Sequence, residues 1–534
     1  MFLRLRCQGF RPRPEVRCQS ALVTINEHTV DALEARDLDW HEFRVPRDIV
    51  TQREITLGFA FMHPSSPASH GLSPDTRDLA ISLDALVVFD TPDPAAPGSR
   101  MIGAGADPVG DVFVSGGSYH RAIRRASHEA VETLRRDGLY DLLASKGLIP
   151  EHVFSPLEEG EYASVASSVT GQFVYPPKYP WLMFRDAAHV WLEINRVLFD
   201  ESAGSLGLCD GHYGNFIQCE NARPKWCDIG SIVSGEAALA FGFAEFVRCY
   251  MLPLALATLP QKEGFNIRQM MVNHTGGVPV QVAVEEHGDA LADVGLYERY
   301  PPATRREALD GMQRILDKFD LKAQKGFWSD YRSVGALESA WSGDLLKPGN
   351  DNRFAEIVAL AKSCDVDSFI DIGCNDGIFS LLCGREGMRG FGIDLDEDSI
   401  NKMYEFAKDH PATDLTISYG GFSDVEGRYP LVLVLALSHH LVLSQKLTFA
   451  QIASKLAAVS SGHVITEFMP DGLGGTPANP RPFPDPLPAE YSLEGFLSAL
   501  RAEFQHVQPV EYVRDADPAH MSRRILVHCR GPRG

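Results

Sequence analysis

The stretch Asp367 to Gly377, DSFIDIGCNDG, decides the fold of the C-terminal part of this 534-residue chain. An apolar run ends in Asp371, and a glycine-containing loop leads into helical periodicity that begins at Ile378. Glycines at a strand-to-helix turn let a ligand approach the backbone, and the first turn of a helix offers free N–H groups. Seventeen residues after Gly377 a second strand ends in Asp394, where a carboxylate accepts hydrogen bonds from ribose hydroxyls. This order of elements predicts a doubly wound α/β domain with a nucleoside-type cofactor site.

These segments resemble motifs I and II of the class I S-adenosylmethionine-dependent methyltransferases, and the resemblance covers about Arg353 to Cys529. It implies a Rossmann-like domain over residues 349–534 that binds S-adenosylmethionine, with Asp371 at the methionine end, Asp394 at the ribose and the GGFSD segment near the adenine. The residues predicted to bind the cofactor are Asp371, Gly373, Cys374, Asn375, Asp376, Gly377, Asp394, Phe422 and Ser423. A dinucleotide is the weaker alternative, because the loop lacks the G-x-G-x-x-G spacing and places an acid and an amide where a pyrophosphate would approach.

Two histidines are the predicted catalytic residues of this domain. His439 and His440 follow the apolar strand LVLVLAL, and an imidazole of near-neutral pKa can remove a proton from a hydroxyl acceptor. The alternative is that the pair opens the next helix and contacts the cofactor or caps the backbone. Glu467, at the end of HVITEF, has the same two interpretations. The loop Met469 to Glu490 is rich in Pro and Gly and is the predicted acceptor-binding segment.

A second constellation lies in the middle of the chain. Asp210 and Asn215 are five residues apart, and Asp228, thirteen residues further, opens a D-I-G segment. Phosphoryl transfer needs one carboxylate to orient the attacking hydroxyl, and an Asn with a second carboxylate to hold magnesium. The spacing resembles the catalytic loop and D-F-G segment of protein-kinase-like phosphotransferases. The resemblance implies an α+β domain over residues 100–342 that uses ATP and Mg²⁺, with Asp210 catalytic and Asn215 and Asp228 as metal ligands.

The kinase-like region departs from that family at the phosphate-gripping lysine. In the family this lysine lies on a strand of the N-terminal lobe, before the catalytic loop. The first lysine in this chain is Lys146. The basic residues near the expected strand are Arg121, Arg124 and Arg125. A degenerate domain that binds nucleotide weakly or serves as a scaffold therefore stays an open alternative. Helical periodicity in this region predicts helices over residues 127–144, 181–198 and 236–259.

Residues 1–95 are predicted to form a small β-sandwich. Short alternating or β-branched runs are separated there by Pro, Ser, Gly and Asp clusters. The segment from Ser66 to Leu79 resembles the signature of a β-sandwich module appended to bacterial glycosyltransferases, which implies docking to a glycan or an enzyme partner. The alternative is that Asp75 and Arg77 form a structural ion pair. A Pro- and Gly-rich linker is predicted over Thr91 to Ser99.

Composition limits the partners and the compartment. With 50 Lys+Arg against 71 Asp+Glu the formal net charge is −21, which repels nucleic-acid phosphates and anionic lipid. The most apolar run, Phe243 to Leu259, is interrupted by charged residues and Pro253 and is predicted to be a core helix, so no integral membrane segment is expected. The ten cysteines include no C-x-x-C pair, which predicts reduced thiols and no zinc framework. The first twenty residues lack the apolar stretch of a secretory signal, and a cytoplasmic location is expected.

The run from Gly116 to Arg530 also resembles, as one composite, bacterial proteins in which such a leading region precedes a class I methyltransferase. These occur among surface-polysaccharide and nodulation-type methyltransferases. The predicted function is therefore methylation of an oxygen on a sugar or sugar phosphate of a surface glycan, with a possible phosphotransferase step and association with polysaccharide-synthesis enzymes. The alternatives are a methyltransferase of a small natural product with an inert kinase-like scaffold, and a non-enzymatic assembly protein.

Overall fold

The computed structural model describes most of the chain, in seventeen segments. They are residues 2–9, 19–26, 28–35, 39–45, 56–61, 81–89, 100–103, 107–115, 118–157, 160–168, 173–259, 266–293, 305–321, 335–410, 414–474, 481–510 and 523–533. The chain forms two compact units, one from residues 1–137 with 151–169 and the other from residues 138–150 with 170–534. The division into domains 1–95, 100–342 and 349–534 stays a prediction. The signature Ser66 to Leu79 and the linker Thr91 to Ser99 lie outside the described residues.

The first unit begins with six strands. These are β1 (Phe2–Gly9), β2 (Gln19–Ile25), β3 (His28–Ala35), β4 (Asp39–Arg44), β5 (Leu57–Phe61) and β6 (Ile81–Phe89). They form two antiparallel sheets of order β4-β1-β6 and β3-β2-β5. Every second residue of β2 is buried, as expected when one face of a sheet is covered. Side chains from both sheets form a common hydrophobic core.

A five-stranded antiparallel sheet completes the first unit. Its strands are β7 (Arg100–Gly103), β8 (Gly110–Ser115), β9 (Ser118–Arg124), β10 (His152–Pro156) and β11 (Tyr162–Ser168), in the order β10-β11-β9-β8-β7. Helix α1 (His128–Arg136) follows β9. The predicted helix over residues 127–144 is instead two helices, because Gly138 between them has a left-handed φ of 73°.

The second unit begins with a mainly helical region. Its helices are α2 (Leu139–Ser145), α3 (Trp181–Glu201), α4 (Glu236–Phe246), α5 (Leu252–Ala257), α6 (Ile267–Asn273), α7 (Val280–Asp293), α8 (Arg305–Leu316) and α9 (Ala336–Ser342). Four short strands form two antiparallel pairs, β12 (Leu206–Leu208) with β15 (Ile232–Ser234) and β13 (Phe216–Gln218) with β14 (Pro224–Trp226). The predicted kinase-like segments run through these four strands.

The predicted helix over residues 236–259 is nearly continuous. A π-helical turn, Val247–Met251, joins α4 to α5. The widened turn comes just before Pro253, which has no N–H to donate to the preceding turn of the helix. Within the described residues, the segment Ala238–Ala257 is long and apolar enough to cross a membrane by length and composition alone, and 61% of its apolar window is buried. A buried core helix passes the same test, so this helix by itself does not indicate a membrane span.

The C-terminal part of the second unit is a seven-stranded sheet with helices. Its elements are α10 (Arg353–Ser363), β16 (Ser368–Ile372), α11 (Ile378–Arg385), β17 (Arg389–Asp394), α12 (Glu397–Asp409), β18 (Leu415–Tyr419), β19 (Tyr429–Val434), α13 (Ser438–Leu443), α14 (Phe449–Val459), β20 (Ser460–Phe468), α15 (Leu493–Glu503), β21 (Phe504–Val510) and β22 (Ile525–Pro532). The strand order is β18-β17-β16-β19-β20-β22-β21, and β22 is antiparallel to both of its neighbours.

This strand order determines where a ligand can bind. The chain runs outward from β16 in one direction through β17 and β18, and then returns to β19 on the other side of β16. The loops after β16 and β19 therefore leave the sheet in opposite directions and open a crevice at its carboxyl edge, where open α/β sheets bind their ligands. The doubly wound α/β fold predicted from the stretch Asp367 to Gly377 is confirmed in this part of the chain.

Candidate active site

A cavity of about 480 Å³ lies at this carboxyl edge. Its walls come from the loops after β16, β17, β18, β19 and β20, and from the first residue of α10. The lining residues used below are Arg353, Asp371, Asn375, Asp394, Leu395, Asp396, Phe422, His439, His440, Met469, Leu473, Gly474 and Arg524. The carboxylates Asp371, Asp394 and Asp396 form what we call the acidic wall, and Arg353, Arg524, His439 and His440 form what we call the arginine wall.

The acidic wall is organised by Asp394. One of its carboxylate oxygens accepts a hydrogen bond from the backbone N–H of Asn375 at 2.7 Å, and the other accepts from the N–H of Asp396 at 2.7 Å. Burial raises the pKa of Asp394 above its usual value. Each carboxylate oxygen has more than one acceptor site, so this side chain can fix two loops and still accept hydrogen bonds from the hydroxyls of a ligand.

The loop after β16 requires an unusual backbone. Gly377 has φ 84°, and a Cβ atom there would lie 2.6 Å from the sulfur of Met403. Asn375 has φ 54°, a region that Asn tolerates better than most residues. Gly377 therefore serves the turn that begins α11, although its own atoms do not line the cavity.

The structure places the predicted cofactor residues in two groups. Those that line the cavity are Asp371, Gly373, Cys374, Asn375, Asp394 and Phe422, and those outside its lining are Asp376, Gly377 and Ser423. Asp371 is only 2% exposed, and its carboxylate accepts a hydrogen bond from the Ser380 hydroxyl at 2.9 Å.

Leu395 is a lining residue that the sequence argument missed. It is 51% exposed although it is large and apolar, and it packs against Gly421. An apolar residue directly after a strand-ending acid is a weak signal, because single exposed leucines are common on protein surfaces.

His439 and His440 lie together in the cavity lining, at the start of α13. His439 is 6% exposed, and its Nδ1 has no hydrogen-bond partner among the described residues. Burial, with the neighbouring charges of His440 and Arg524, lowers the pKa of His439 to about 3. Burial also lowers the pKa of His440. Both imidazoles are therefore neutral at neutral pH, and His439, with a pKa of about 3, accepts a proton poorly at that pH.

Glu467 is held by two arginines and is fully buried. Arg353 donates two hydrogen bonds to its carboxylate, at 2.7 Å each, and Arg524 donates a third at 3.1 Å. Burial alone would raise the pKa of Glu467, but the two guanidinium groups outweigh it and lower the pKa to about 2. This geometry favours a structural role for Glu467 over the role of a base. The structural alternative expected backbone partners for this carboxylate, and the partners found are arginine side chains.

The predicted acceptor segment reaches the cavity with its first residues. Met469, Leu473 and Gly474 line it, and the backbone N–H of Leu473 donates to the carbonyl of Phe483 at 3.0 Å. Residues 475–480 lie outside the described part of the chain. The start of this loop and the two histidines therefore line the same cavity, and the acceptor-binding role of the loop stays a prediction.

The kinase-like residues are also brought together. The Asn215 side-chain amide donates to the Asp210 carboxylate at 2.9 Å, and the backbone N–H of His212 donates to the other Asp210 oxygen at 2.7 Å. The N–H of Cys227 donates to the carbonyl of Asn215 at 2.8 Å, which joins the two segments. Asp228 is 8% exposed, and its carboxylate accepts from the Gly230 N–H at 3.1 Å. The tight turns at Asp210 and Asp228 therefore lie side by side.

Glu245 is a further acidic group at this place, and sequence spacing gave no signal for it. It lies on α4 and accepts a hydrogen bond from the Gly211 backbone N–H at 2.9 Å. Burial and the neighbouring Asp210 carboxyl raise the pKa of Glu245 to about 7. Near neutral pH, Asp210 therefore has a neighbour that gains or loses a proton, which alters the local charge that a metal ion would meet.

The arginines considered in place of the missing lysine are engaged in the first unit. Arg121 pairs with Asp107, and Arg124 pairs with Asp111. Arg125 donates to the carbonyl of Gly160 at 2.7 Å. Each guanidinium group thus has a protein partner, and gripping a phosphate would require exchanging it.

Within the second unit the helical region packs directly against the cofactor side of the sheet. Arg268 pairs with Glu397 at 2.6 Å and lies between the rings of Trp181 and Tyr419, at 4.2 and 4.0 Å from their centroids. The side chain of Gln218 exchanges hydrogen bonds of 2.6 and 2.8 Å with the backbone of Ile417 in edge strand β18. Glu397 directly follows Asp396, which lines the cavity. The ion pair between Arg268 and Glu397 therefore lies next to the acidic wall.

Comparison with known proteins gives a partial match. No family model matches the chain. Over 104 residues it is 30% identical to the Escherichia coli protein named O-antigen chain terminator bifunctional methyltransferase/kinase WbdD, a match that covers 18% of this chain. The match spans only 14% of the length of that curated relative.

Two of the similar solved structures are methyltransferases. One is the magnesium protoporphyrin IX methyltransferase of Synechocystis with bound S-adenosylmethionine, at 15% identity over 38% of this chain and 88% of that chain, with a TM-score of 0.27. The other is WbdD, at 19% identity over 36% of this chain and 42% of that chain, with a TM-score of 0.28. The matched proteins are methyltransferases. The sequence likeness to WbdD agrees with the predicted class of enzyme, an S-adenosylmethionine-dependent methyltransferase.

Proposed function

We propose that this protein transfers a methyl group from S-adenosylmethionine to an oxygen of a sugar phosphate or sugar in surface-glycan biosynthesis. The observation that carries the methyltransferase part is the cavity at the switch point of the sheet, where Asp394 fixes the loop after β16 and faces a ligand space of about 480 Å³. The sequence likeness to an O-antigen methyltransferase/kinase supports the glycan part.

The chemistry of the cavity favours an acceptor that is already ionised. Methylating a hydroxyl requires removal of its proton, but His439 and Glu467 have pKa values of about 3 and about 2 and are weak bases. Burial also lowers the pKa of His440, the third candidate base. A phosphate oxygen carries its negative charge without a base. Arg353 and Arg524 line the cavity, and both donate hydrogen bonds to Glu467. Guanidinium groups are the side chains best suited to bind a phosphate, because their planar N–H donors match its oxygens.

In the proposed reaction the phosphate oxygen forms a bond to the donor methyl carbon. The carbon–sulfur bond of the sulfonium breaks, and its electron pair stays on sulfur to give S-adenosylhomocysteine. Asp394 and Asp371 would hold the donor, while the arginine wall and the segment from Met469 would hold the acceptor. The positive charge of the sulfonium is lost in this step, and the acidic wall therefore favours binding of the charged donor over the neutral product.

The test compares a sugar phosphate with the same unphosphorylated sugar as methyl acceptor, with labelled S-adenosylmethionine and the full chain. We expect methyl transfer to the phosphate at least tenfold faster, and loss of that preference in Arg524→Gln but not in Arg501→Gln, an exposed arginine on α15. Equal or faster transfer to the free sugar would overturn the phosphate acceptor. Absence of S-adenosylmethionine binding in calorimetry would overturn the methyltransferase itself.

A phosphotransferase step is the second candidate function, because Asp210, Asn215 and Asp228 lie in adjoining turns. In this two-step proposal the acceptor hydroxyl oxygen bonds to the γ-phosphorus of ATP, the bond from that phosphorus to the bridging oxygen breaks, and ADP leaves. Asp210 would accept the hydroxyl proton, and the phosphate so formed is then methylated. Magnesium held by Asn215 and Asp228 would neutralise the transferring phosphate. ATP calorimetry with and without Mg²⁺ tests it. Magnesium-dependent binding that Asp228→Ala abolishes supports the step, and absence of ATP binding in the intact chain leaves an inert scaffold.

Two other functions make different predictions. A methyltransferase of a small natural product would methylate small phenols in preference to glycan extracts. An assembly protein would keep its cellular role when Asp371→Ala abolishes cofactor binding with the fold intact. The proposal also includes a cytoplasmic location and association of residues 1–95 with polysaccharide-synthesis enzymes, and co-purification from cell fractions tests both.

A further inference from the structure

Three side chains of metal-ligand type meet in the C-terminal sheet, away from the cavity. They are Cys364, His463 and His528, and their ligand atoms all lie within 4.8 Å of one another. None of them has a role in the proposed methyl transfer. The three positions are about one hundred and sixty residues apart from first to last.

The sheet register explains how two of them meet. In the antiparallel pair β20 and β22, His528 lies opposite Ile465 and His463 lies opposite Arg530. Residues directly opposite share a face, and every second residue of a strand returns to it, so His463 and His528 are diagonal neighbours on one face. Diagonal pairs are within reach of each other when their side chains are long or aromatic.

Helix α10 brings the third group to the same face. Its first residue, Arg353, pairs with Glu467 on β20, and Cys364 follows its last turn about 16 Å further along the helix axis. His463 precedes Glu467 by four residues, or about 13 Å along the strand. The helix therefore spans this face, with the ion pair at the cavity end and the sulfur at the other end.

Two of the three distances are close to the edges of a tetrahedral zinc site, and the third is at most 4.8 Å. Without an ion, the same two contacts are hydrogen bonds. The Nδ1 atom of His463 and Nε2 of His528 are 3.1 Å apart, and the sulfur of Cys364 is 3.7 Å from Nε2 of His528. With zinc–nitrogen bonds near 2.05 Å and a zinc–sulfur bond near 2.3 Å, a regular tetrahedron has N···N edges of about 3.4 Å and N···S edges of about 3.6 Å. One ion placed over the three atoms can contact all of them.

The protonation states also suit a cation of intermediate softness. Burial lowers the pKa of both His463 and His528, the latter to about 4, so both imidazoles are neutral at neutral pH. An ion would replace the hydrogen bonds that now join the two imidazoles and the thiol. Burial raises the pKa of the Cys364 thiol to about 11. Arg530 faces all three groups, favouring the thiolate and opposing the cation. Binding of one ion would therefore release one proton, from the thiol.

We propose that Cys364, His463 and His528 bind one Zn²⁺ ion, with a water molecule as the fourth ligand. The ion links the end of α10 to β20 and β22, and it therefore stabilises β22, the strand that runs antiparallel to both of its neighbours. The three ligands do not line the cavity, so the ion would affect the stability of this edge of the sheet and would take no part in the proposed methyl transfer.

The test uses the full chain, without an affinity tag and stripped of metal by a chelator. Titration with Co²⁺, which takes zinc sites and absorbs light, should give one equivalent with a thiolate-to-metal charge-transfer band that Zn²⁺ bleaches. Calorimetry in buffers of different ionisation enthalpy should show release of one proton per ion. Zn²⁺ should also raise the melting temperature.

Variants separate this site from other thiols. Cys364→Ser should remove the charge-transfer band and weaken metal binding at least tenfold, and His463→Gln should weaken it similarly while keeping the thiol. Cys383→Ser is the matched control, because Cys383 is a buried thiol of the same domain in α11, and it should bind as the intact protein does. No charge-transfer band in the intact protein, or an unchanged band in Cys364→Ser, would overturn the site.

Discussion

Replacing Glu467 by Gln tests the arginine wall of the cavity most directly. The substitution keeps the shape of the side chain but removes the negative charge to which Arg353 and Arg524, 8% and 7% exposed, both donate hydrogen bonds. Removing one partner of a buried ion pair typically costs about 3–5 kcal/mol. The same magnitude follows from the pKa, because a fall from 4.5 to about 2 at about 1.4 kcal/mol per unit amounts to about 3 kcal/mol.

The pH dependence of this cost has a definite sign. A carboxyl group with a depressed pKa in the folded state stabilises the fold above its unfolded pKa of about 4.5, and the contribution is lost as the pH falls to about 2. Glu467→Gln has no such titration. The difference in stability between the two proteins should therefore be fully present at pH 6 and should close as the pH approaches about 2.

Native-state hydrogen exchange measures this quantity for the right element, since a multidomain chain need not unfold in one transition. The amides of β20 and β22 should lose about 3 kcal/mol of protection at pH 6 in Glu467→Gln. Asp367→Asn is the control, because Asp367 is an exposed carboxylate paired with Arg389 in the same sheet, and it should leave protection unchanged. A loss below about 1 kcal/mol in Glu467→Gln, or a loss that does not shrink with acid, would refute this reasoning.

Three further predictions concern the rest of the site. Asp394→Asn should weaken S-adenosylmethionine binding tenfold or more in calorimetry, because a hydrogen bond to a charged group contributes about 1.5–3 kcal/mol. An unchanged affinity would show that Asp394 does not bind the cofactor. His439→Gln should keep the rate of methyl transfer to a phosphate acceptor within about tenfold of the intact protein's rate, because a phosphate needs no general base. General-base catalysis contributes a rate factor of about 10²–10⁴, and a loss of that size would show that His439 is the base. Arg268→Ala should cost about 3 kcal/mol in exchange protection of α12, because it removes charge-assisted hydrogen bonds to Glu397 and two backbone carbonyls. It should also lower the affinity for S-adenosylmethionine. Unchanged protection and affinity would show that the helical region does not support the acidic wall.

Local sequence patterns predicted the C-terminal fold well. The glycine-containing loop after β16, the helix that begins at Ile378 and the acid at the end of β17 depend on neighbouring residues, and the structure has them at the predicted positions. Long helices were predicted less exactly. Gly138 divides one predicted helix into two, and a π-helical turn interrupts the apolar helix after α4, because backbone conformation at single residues is only weakly encoded in periodicity.

The protonation states of the candidate bases were beyond sequence reasoning. A histidine pair after a strand suggests a base of near-neutral pKa, but the pKa depends on burial and on charges that reach the site from other elements. Arg353 and Arg524 lie more than one hundred and fifty residues apart in the chain and meet only at Glu467. Their effect on His439 and Glu467 appears only when the sheet is assembled.

The sequence by itself determined the order of strand, glycine loop, helix and acid that builds the cofactor edge, because these features are set by residues near one another in the chain. Only the tertiary structure decided which distant side chains meet. The register of β20 against β22 and the path of α10 across them bring Cys364 to His463 and His528, although the cysteine spacing alone predicted no zinc framework. The physical reason is that sheet register and helix packing are settled by burial of the whole core, and no local pattern of residues carries that information.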